Sequence, residues 1–590
     1  MTGGHWSFKK MPDTSVSVHA GAPLAPKPAV PAVATTAHDL DRMLHAWQSR
    51  FTGGRSPSTV ALAFMDWAAH AANAPFKTAS LGHVAIEQWQ RLGTAMMSGE
   101  PAISPAGGDH RFANPAWRQR PYSLLVQSVL LGEEWWDKVV RNPCGVSPPS
   151  ERMVAFTTRQ FLDLISPSNI PWLNPEVVQA TRGSNGQNLV NGLSNFLRDQ
   201  AAPHGGAVSN GFVVGKNLAA TPGKVVFRNA LMELIQYAPV TAKVDAEPVL
   251  IVPAWIMKYY ILDLSANNSM IGWLVAQGRT VFCISWRNPG AEMRDTSLDD
   301  YRAHGVMAAV DAVRAICGEV KIHATGYCLG GTLMTIAAAV MARDGDDRLA
   351  SLSLFAAQTD FSEAGELQLF ITEDQLSFLN DIMQTQGYLD STQMGGAFQM
   401  LQSNDLIWSH AIRSYLLGAQ DAPFDLMAWD ADGTRLPARM HIEYLRQLYL
   451  HNDLAEGRFE VGGRPVILDD LHLPIFLVGT ERDHIAPWHS VFKLHLLNDG
   501  EITFVLTSGG HNAGIVSEPG HAHRHFRMHT RAAGGHTRGP DEWERHTPSR
   551  DGSWWVEWSK WLGTRSTKQI APPAMGASLG DAPGEYVLEA

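Results

Sequence analysis

Val320-Lys321-Ile322-His323-Ala324-Thr325-Gly326-Tyr327-Cys328-Leu329-Gly330-Gly331-Thr332-Leu333-Met334-Thr335-Ile336 is the stretch on which the fold turns. Residues 320–324 read as a short apolar strand, the glycine-rich hexapeptide 326–331 as a sharp turn, and residues 332–340 as a buried helix. Strand, turn and helix in this order form a nucleophile elbow, with a thiol where such elbows usually carry a serine. The flanking glycines answer to crowding, because a Cβ at 326 or 330 would meet neighbouring backbone or the helix behind it. The turn lifts the Cys328 thiol to the carboxyl edge of a sheet. There the Leu329 N–H, at a helix N-terminus, serves a developing oxyanion, and the helix dipole favours a thiolate. A free cysteine beside glycines is also commonly a small buried hydrophobe. The rest of the chain must therefore supply partners.

An elbow of this kind needs an acid and then a histidine, each past the end of a later strand. Residues 474–479 (Pro-Ile-Phe-Leu-Val-Gly) form an apolar strand followed by Thr480-Glu481-Arg482-Asp483-His484, which makes Asp483 the candidate acid. Residues 502–506 form the next, running into Ser508-Gly509-Gly510-His511, which makes His511 the candidate base. An aspartate after a strand is often only a helix cap, and a histidine in a glycine loop often only polar surface. All three in the required order outweigh those separate readings. His484 competes with His511, but its place on the same turn as the acid fits the final loop less well.

With 590 residues and 45% hydrophobic content the chain can bury a large core and more than one domain. The net charge of −11 without a basic block speaks against nucleic acid. The four cysteines, Cys144, Cys283, Cys317 and Cys328, show neither CxxC nor dense even spacing, which argues against a disulfide scaffold or zinc site and for a reducing compartment. His521, His523, His525 and His529 lie close together without an acidic or thiol ligand, so no metal is expected there. No apolar run of about 18 residues suggests a transmembrane segment.

Residues 1–36, rich in Pro, Ala, Ser and Lys, read as a flexible N-terminal tail without a signal-peptide core. Residues 37–205 read as a helical N-terminal domain, with helices over 39–51, 58–72, 122–139 and 151–165. Leu40, Met43, Leu44 and Trp47 form a stripe expected to be a packing face. The polar, glycine-rich stretch 199–211 marks the boundary. From 206 to 570 apolar strands at 249–252, 280–284, 320–323, 352–355, 475–478 and 502–506 alternate with helices. That is an α/β pattern with a mostly parallel sheet, its catalytic groups at the strands' carboxyl ends. The insertion at about 362–470 is too long for a connection and reads as a helical cap that would keep a thioester from water. Trp554, Trp558 and Trp561, at i, i+4 and i+7, read as the packing face of a late helix. Residues 571–590 read as a C-terminal tail.

A set of ordered motifs runs through the chain from about residue 40 onward: Arg111-Phe112, Ala116-Trp117, Pro121-Tyr122, Val214-Gly215-Lys216-Asn217-Leu218 and Lys258-Tyr259-Tyr260-Ile261-Leu262-Asp263-Leu264. The set continues through Ser285-Trp286-Arg287-Asn288-Pro289, the cysteine elbow, Asn404-Asp405-Leu406-Ile407-Trp408 and Phe424-Asp425-Leu426. Asp483-His484-Ile485-Ala486-Pro487-Trp488 and Ser553-Trp554-Trp555 complete it. In these motifs the chain resembles the polyhydroxyalkanoate synthases, which polymerise 3-hydroxyacyl-CoA thioesters into storage polyester. Length and N-terminal helices are similar to the class I, single-polypeptide synthases of short-chain monomers such as 3-hydroxybutyrate. The resemblance implies an α/β-hydrolase fold with a helical cap insertion and a mainly helical N-terminal domain. It implies that Cys328 carries the acyl chain, that His511 activates thiol or hydroxyl, and that Asp483 supports it. It further implies a cytoplasmic protein at the storage-granule surface, in contact with the polyester and its granule-associated proteins. Three departures stand near the expected substrate region: Met257 in Pro253-Ala254-Trp255-Ile256-Met257-Lys258, where the family commonly has asparagine; Gln402 for an arginine; and Asn512-Ala513-Gly514 for Ile-Ala-Gly.

Passing an acyl group from CoA sulfur to cysteine sulfur exchanges thioester for thioester, so the group stays activated for ester formation. His511 takes the thiol proton, and a base then serves the 3-hydroxyl as it attacks. Asp483 either orients His511 or takes that hydroxyl proton. A second oxyanion donor is expected from the backbone of Ile256, after the strand at 249–252. No cofactor is called for; the CoA thioester is substrate. A homodimer is the expected assembly. Two other readings stay open on sequence, a thioesterase or polyester hydrolase of the same fold and a granule-binding paralogue with weak catalysis.

Overall fold

The computed structural model describes residues 37–52, 54–106, 109–201, 208–209, 211–395, 407–420 and 423–590. Its centre is one mixed sheet of eleven strands. In chain order these are β1 (Gly223–Arg228), β2 (Met232–Tyr237), β3 (Val249–Val252), β4 (Val281–Trp286), β5 (Ile322–Tyr327) and β6 (Leu349–Phe355). Then come β7 (Ile475–Thr480), β8 (Ile502–Thr507), β9 (His525–Arg531), β10 (Ser549–Asp551) and β11 (Gly580–Asp581). Across the sheet they stand as β10-β9-β8-β7-β6-β5-β3-β4-β2-β1-β11. The neighbours from β4 to β8 are all parallel, and the flanking pairs are antiparallel. The parallel strands are continuous apolar runs because both faces are covered: every residue of β3, β4, β5, β7 and β8 is buried.

Helix α9 (Leu329–Arg343), numbered after the seven N-terminal helices and α8 (Ala308–Cys317), follows β5. It is buried from Leu329 to Met341, where small residues such as Ala337, Ala338 and Ala339 let it lie close to the sheet. On the other face α12 (Trp554–Gly563) places Trp554, Trp555 and Trp558 in the core, and Trp558 Nε1 donates to Ser353 Oγ of β6 at 2.9 Å. The tryptophan stripe is thus a packing face. Between β6 and β7 the chain forms α10 (Glu373–Gln386) and α11 (Ala438–Tyr444), with π-helical turns over Ala411–Leu416 and Leu445–Leu450.

The N-terminal part comprises α1 (Ala37–Thr52), α2 (Pro57–Ala72), α3 (Pro75–Ser98), α4 (Tyr122–Val140), α5 (Pro148–Leu164), α6 (Pro175–Gly183) and α7 (Gln187–Ala201). The described residues from Arg42 onward form one compact unit with no division near 205. The stripe expected to pack on α1 is instead exposed at Met43, Leu44 and Trp47. Its polar side faces inward, because His45 Nδ1 pairs with Asp381 of α10 at 2.8 Å and Arg42 Nε lies 3.6 Å from the same carboxylate.

Residues 571–590 also differ from the expected tail. β11 pairs with β1, and the Glu585 and Tyr586 N–H groups donate to Glu233 Oε2 at 2.9 and 3.0 Å. Glu233 lies fully buried on β2, and a carboxylate there requires donors, which this segment and Arg228 supply. Further on, Lys258 Nζ donates to the Glu589 carbonyl at 2.6 Å, and the Glu589 carboxylate accepts from the Asn288 N–H at 3.1 Å. The end of the chain is therefore a strap across the sheet edge. Among the described residues no helix is long and apolar enough to cross a membrane.

Candidate active site

Cys328 stands between β5 and α9 at φ 52° and ψ −124°, a positive φ that a side chain disfavours. The turn is held from both sides. The Cys328 N–H donates to Phe355 O at the end of β6 at 2.8 Å, and the Cys328 carbonyl accepts from the Gly331 N–H at 2.9 Å to start the helix. A Cβ on Gly326 would run into Gly331 Cα, and one on Gly330 into the Val252 and Pro253 carbonyls. The glycines thus let α9 pass directly against the end of β3.

The strand ends bring in the other two groups. Asp483 follows β7: Oδ1 accepts from the Ile485 and Ala486 N–H groups at 2.9 and 2.8 Å, and Oδ2 from Thr480 Oγ1 at 3.0 Å. The same Oδ2 pairs with His511 Nδ1 at 2.8 Å in the loop after β8. Of the two imidazoles weighed from sequence, His511 is thus bonded to the acid through Nδ1, which leaves Nε2 free to serve the Cys328 sulfur, whose charge acts on the imidazole. Burial disfavours a charged imidazole here, but the Asp483 carboxylate and the sulfur outweigh it and raise the His511 pKa well above 6.5. Burial likewise acts to raise the Asp483 pKa, and is overcome by His511 and the two N–H donors, which leave it below the ordinary carboxylate value.

Asn512, a departure from the expected isoleucine, has a partner. Tyr327, which precedes the nucleophile, donates its hydroxyl to Asn512 Oδ1 at 2.6 Å and lays its ring 5.7 Å from that of His511. One hydrogen bond therefore joins the loop of the nucleophile to the loop of the base. Met257 also has a place, bridging to Gly433 in the loop that carries Ile256. That loop is pinned from outside: Thr434 N–H donates to Ile256 O at 3.2 Å, Thr434 Oγ1 to Trp255 O at 2.6 Å, and Trp429 Nε1 to Lys258 O at 2.8 Å. Neither the Leu329 nor the Ile256 N–H is taken by another acceptor among the described residues. Gln402 and Asn404-Asp405-Leu406 lie outside the described residues.

Cys328, Leu329, Trp255 and Ile256 line a cleft that is open to solvent. Its other walls come from α10, α11 and the π-helical turn after it, and from Gly54-Arg55 between α1 and α2. The helices among these walls fall within the insertion at 362–470 that was read as a cap, but none of their lining side chains was named from sequence, and neither was Gly54-Arg55. Tyr444 and Tyr449 are five apart, a spacing that shares a face only where a helix widens to π geometry; here their rings lie 5.4 Å apart. Gly54-Arg55 belongs to a segment with no catalytic signature.

An elbow thiol at the end of β5, a carboxylate after β7 and an imidazole after β8, on this strand order, give the chain the layout of an α/β-hydrolase-class protein with a cysteine in the place of the candidate nucleophile. Residues 247–518 match the family model described as alpha/beta hydrolase fold. Residues 108–274 match "Poly-beta-hydroxybutyrate polymerase (PhaC) N-terminus", and residues 35–77 "Poly-beta-hydroxybutyrate polymerase N terminal". The chain is 40% identical over 522 residues to a poly(3-hydroxyalkanoate) polymerase of Methylorubrum extorquens, covering 86% of this chain and 85% of that protein. It is 37% identical over 519 residues to the poly(3-hydroxyalkanoate) polymerase subunit PhaC of Rhizobium etli, covering 85% and 81%. The corresponding subunit of Cupriavidus necator is 33% identical over 530 residues, covering 87% and 89%. The chain belongs to the poly(3-hydroxyalkanoate) polymerase family.

Proposed function

We propose that the protein polymerises (R)-3-hydroxyacyl-CoA, with 3-hydroxybutyryl-CoA as the substrate to try first, into polyhydroxyalkanoate through an acyl thioester on Cys328. The Asp483–His511 pair facing the sulfur is the observation that carries this reading. In the loading step His511 holds the thiol proton while the sulfur attacks the acyl carbonyl, and the oxyanion is received by the Leu329 and Ile256 N–H groups. The carbon–sulfur bond to CoA breaks, and the CoA sulfur leaves with the proton from His511. In the elongation step the 3-hydroxyl of one acyl unit loses its proton to His511 and attacks the thioester of another, forming an ester and freeing a thiol. A base placed this way contributes roughly 10²–10⁴-fold. The cleft supports ester formation over hydrolysis, since its walls are largely apolar and offer an attacking water few hydrogen-bond partners.

The same reading includes a place at the polyester surface in the cytoplasm, and a homodimer as the assembly. Exposed Phe76, Trp89, Met97 and Trp172 on and between the N-terminal helices support attachment to an apolar polymer. Incubation with 3-hydroxybutyryl-CoA should release CoA in step with the appearance of insoluble polyester. Release of free 3-hydroxybutyrate alone would identify a thioesterase instead.

A further inference from the structure

The cleft over Cys328 contains few polar side chains, and most are satisfied by the protein. Thr332 Oγ1 donates to Gln358 O at 2.7 Å, and Gln358 Nε2 donates to Ser490 Oγ at 3.0 Å. Gln375 accepts from the Ser56 N–H and donates to Gly54 O, both at 2.8 Å. Tyr444 and Tyr449 meet edge to face, their ring centroids 5.4 Å apart. Trp255 and His441, the latter on α11, differ. Both line the same cleft and are 2% exposed, yet Trp255 Nε1 and His441 Nδ1 are buried without a hydrogen-bond partner among the described residues, and of the two only the imidazole can both donate and accept.

A buried polar nitrogen left unpaired in a protein interior calls for an explanation, and beside a substrate cleft the direct one is a group on the ligand. Burial drives the His441 pKa down to about 3, so the ring is neutral and offers one N–H and one lone pair at any pH where the enzyme works. The ring centroid lies 6.3 Å from that of Tyr444, and His441, Tyr444 and Cys328 all line the same cleft. A plain acyl chain would leave the ring without a polar partner, whereas a 3-hydroxyacyl chain carries a hydroxyl that donates to a ring nitrogen or accepts from its N–H. We propose that His441 is a substrate-positioning residue that hydrogen-bonds the 3-hydroxyl of the acyl unit and so makes the enzyme prefer hydroxylated over plain acyl thioesters. This rests on the hydroxyacyl-transfer reading above and assigns the part of the cleft that reads the hydroxyl.

The test compares the full-length protein with its His441→Phe and His441→Gln variants. CoA release is measured with (R)-3-hydroxybutyryl-CoA and with butyryl-CoA, which loads the thiol and has no hydroxyl to propagate. The ratio of second-order rate constants for the first acyl transfer, read as the single-turnover release of CoA from the hydroxylated over the plain substrate, should fall at least tenfold in His441→Phe, with a rise in KM for the hydroxylated substrate. His441→Gln, which keeps a donor and an acceptor, should recover part of that ratio. A ratio unchanged in both variants, even where both rates drop, would make His441 a packing residue and overturn the proposal. If His441→Phe does not fold, the ratio in His441→Gln decides: equality with the wild type and no shift in KM would overturn it. Failure of the wild-type protein to release CoA from either thioester would instead overturn the function itself, a result visible before any variant is made.

Discussion

Cys328 takes a positive φ because the elbow must turn from strand to helix within one residue, and the strain is held by the Phe355 carbonyl on one side and the start of α9 on the other. This was legible in the sequence, since only glycine fits at 326 and 330. The acid and the base were legible for the same reason, each lying one turn past an apolar strand. The links between these residues were not. Tyr327 and Asn512 are 185 positions apart, and nothing in either neighbourhood announces their hydrogen bond. Charge couples the residues further. His511 has its pKa raised, so its contribution to stability is complete below the unfolded value of about 6.5 and is lost as pH rises through the folded value. Asp483 has its pKa lowered, so its contribution is present above about 3.9 and is lost as pH falls through its folded value. Between these limits the pair is intact. In Asp483→Asn the neutral amide no longer supports the imidazolium, and the His511 titration followed by NMR should move to lower pH; a titration that stays in place would contradict the coupling.

At the scale of elements, the six parallel strands were read well because strands covered on both faces are uninterrupted apolar runs, whereas the five antiparallel strands that flank them, β1, β2, β9, β10 and β11, were not read, so the sheet is more mixed than the mostly parallel one expected. α1 was read correctly as a helix but with the wrong face inward, since periodicity gives the stripe and not what it meets. What meets the rest is polar. Asp374 at the start of α10 accepts hydrogen bonds from Ser56 Oγ at 2.6 Å, Ser58 Oγ at 3.0 Å and Thr59 Oγ1 at 2.6 Å, while Gln375 holds Gly54 and the Ser56 N–H. These bonds set the α1–α2 turn, and so one wall of the cleft, against α10. Pairs so far apart in sequence carry no local signal. Asp374→Ala should destabilise the protein by about 1–3 kcal/mol in urea denaturation, by loss of hydrogen bonds to a charged acceptor. It should also speed limited proteolysis between α1 and α2. Digestion at the wild-type rate would show that the turn is held by other contacts.

Over the whole molecule, the last residues close the sheet rather than trailing from it. Their sequence is rich in Pro, Gly and Ala and looks like linker, but what holds them is the buried Glu233 carboxylate some 350 positions earlier. Removal of residues 579–590 should leave that carboxylate short of donors and lower stability by on the order of 3 kcal/mol. It should also slow CoA release, because Lys258 follows the Ile256 loop and is held by Glu589. An unchanged melting temperature would refute the strap. The claim beneath all of this is that one thiol carries the acyl group. Brief exposure to 3-hydroxybutyryl-CoA, followed by acid quench, digestion and mass spectrometry, tests it. The account predicts 3-hydroxybutyryl on the peptide containing Cys328 and none in Cys328→Ala; an acyl group on any other residue, or turnover retained in Cys328→Ala, would contradict it.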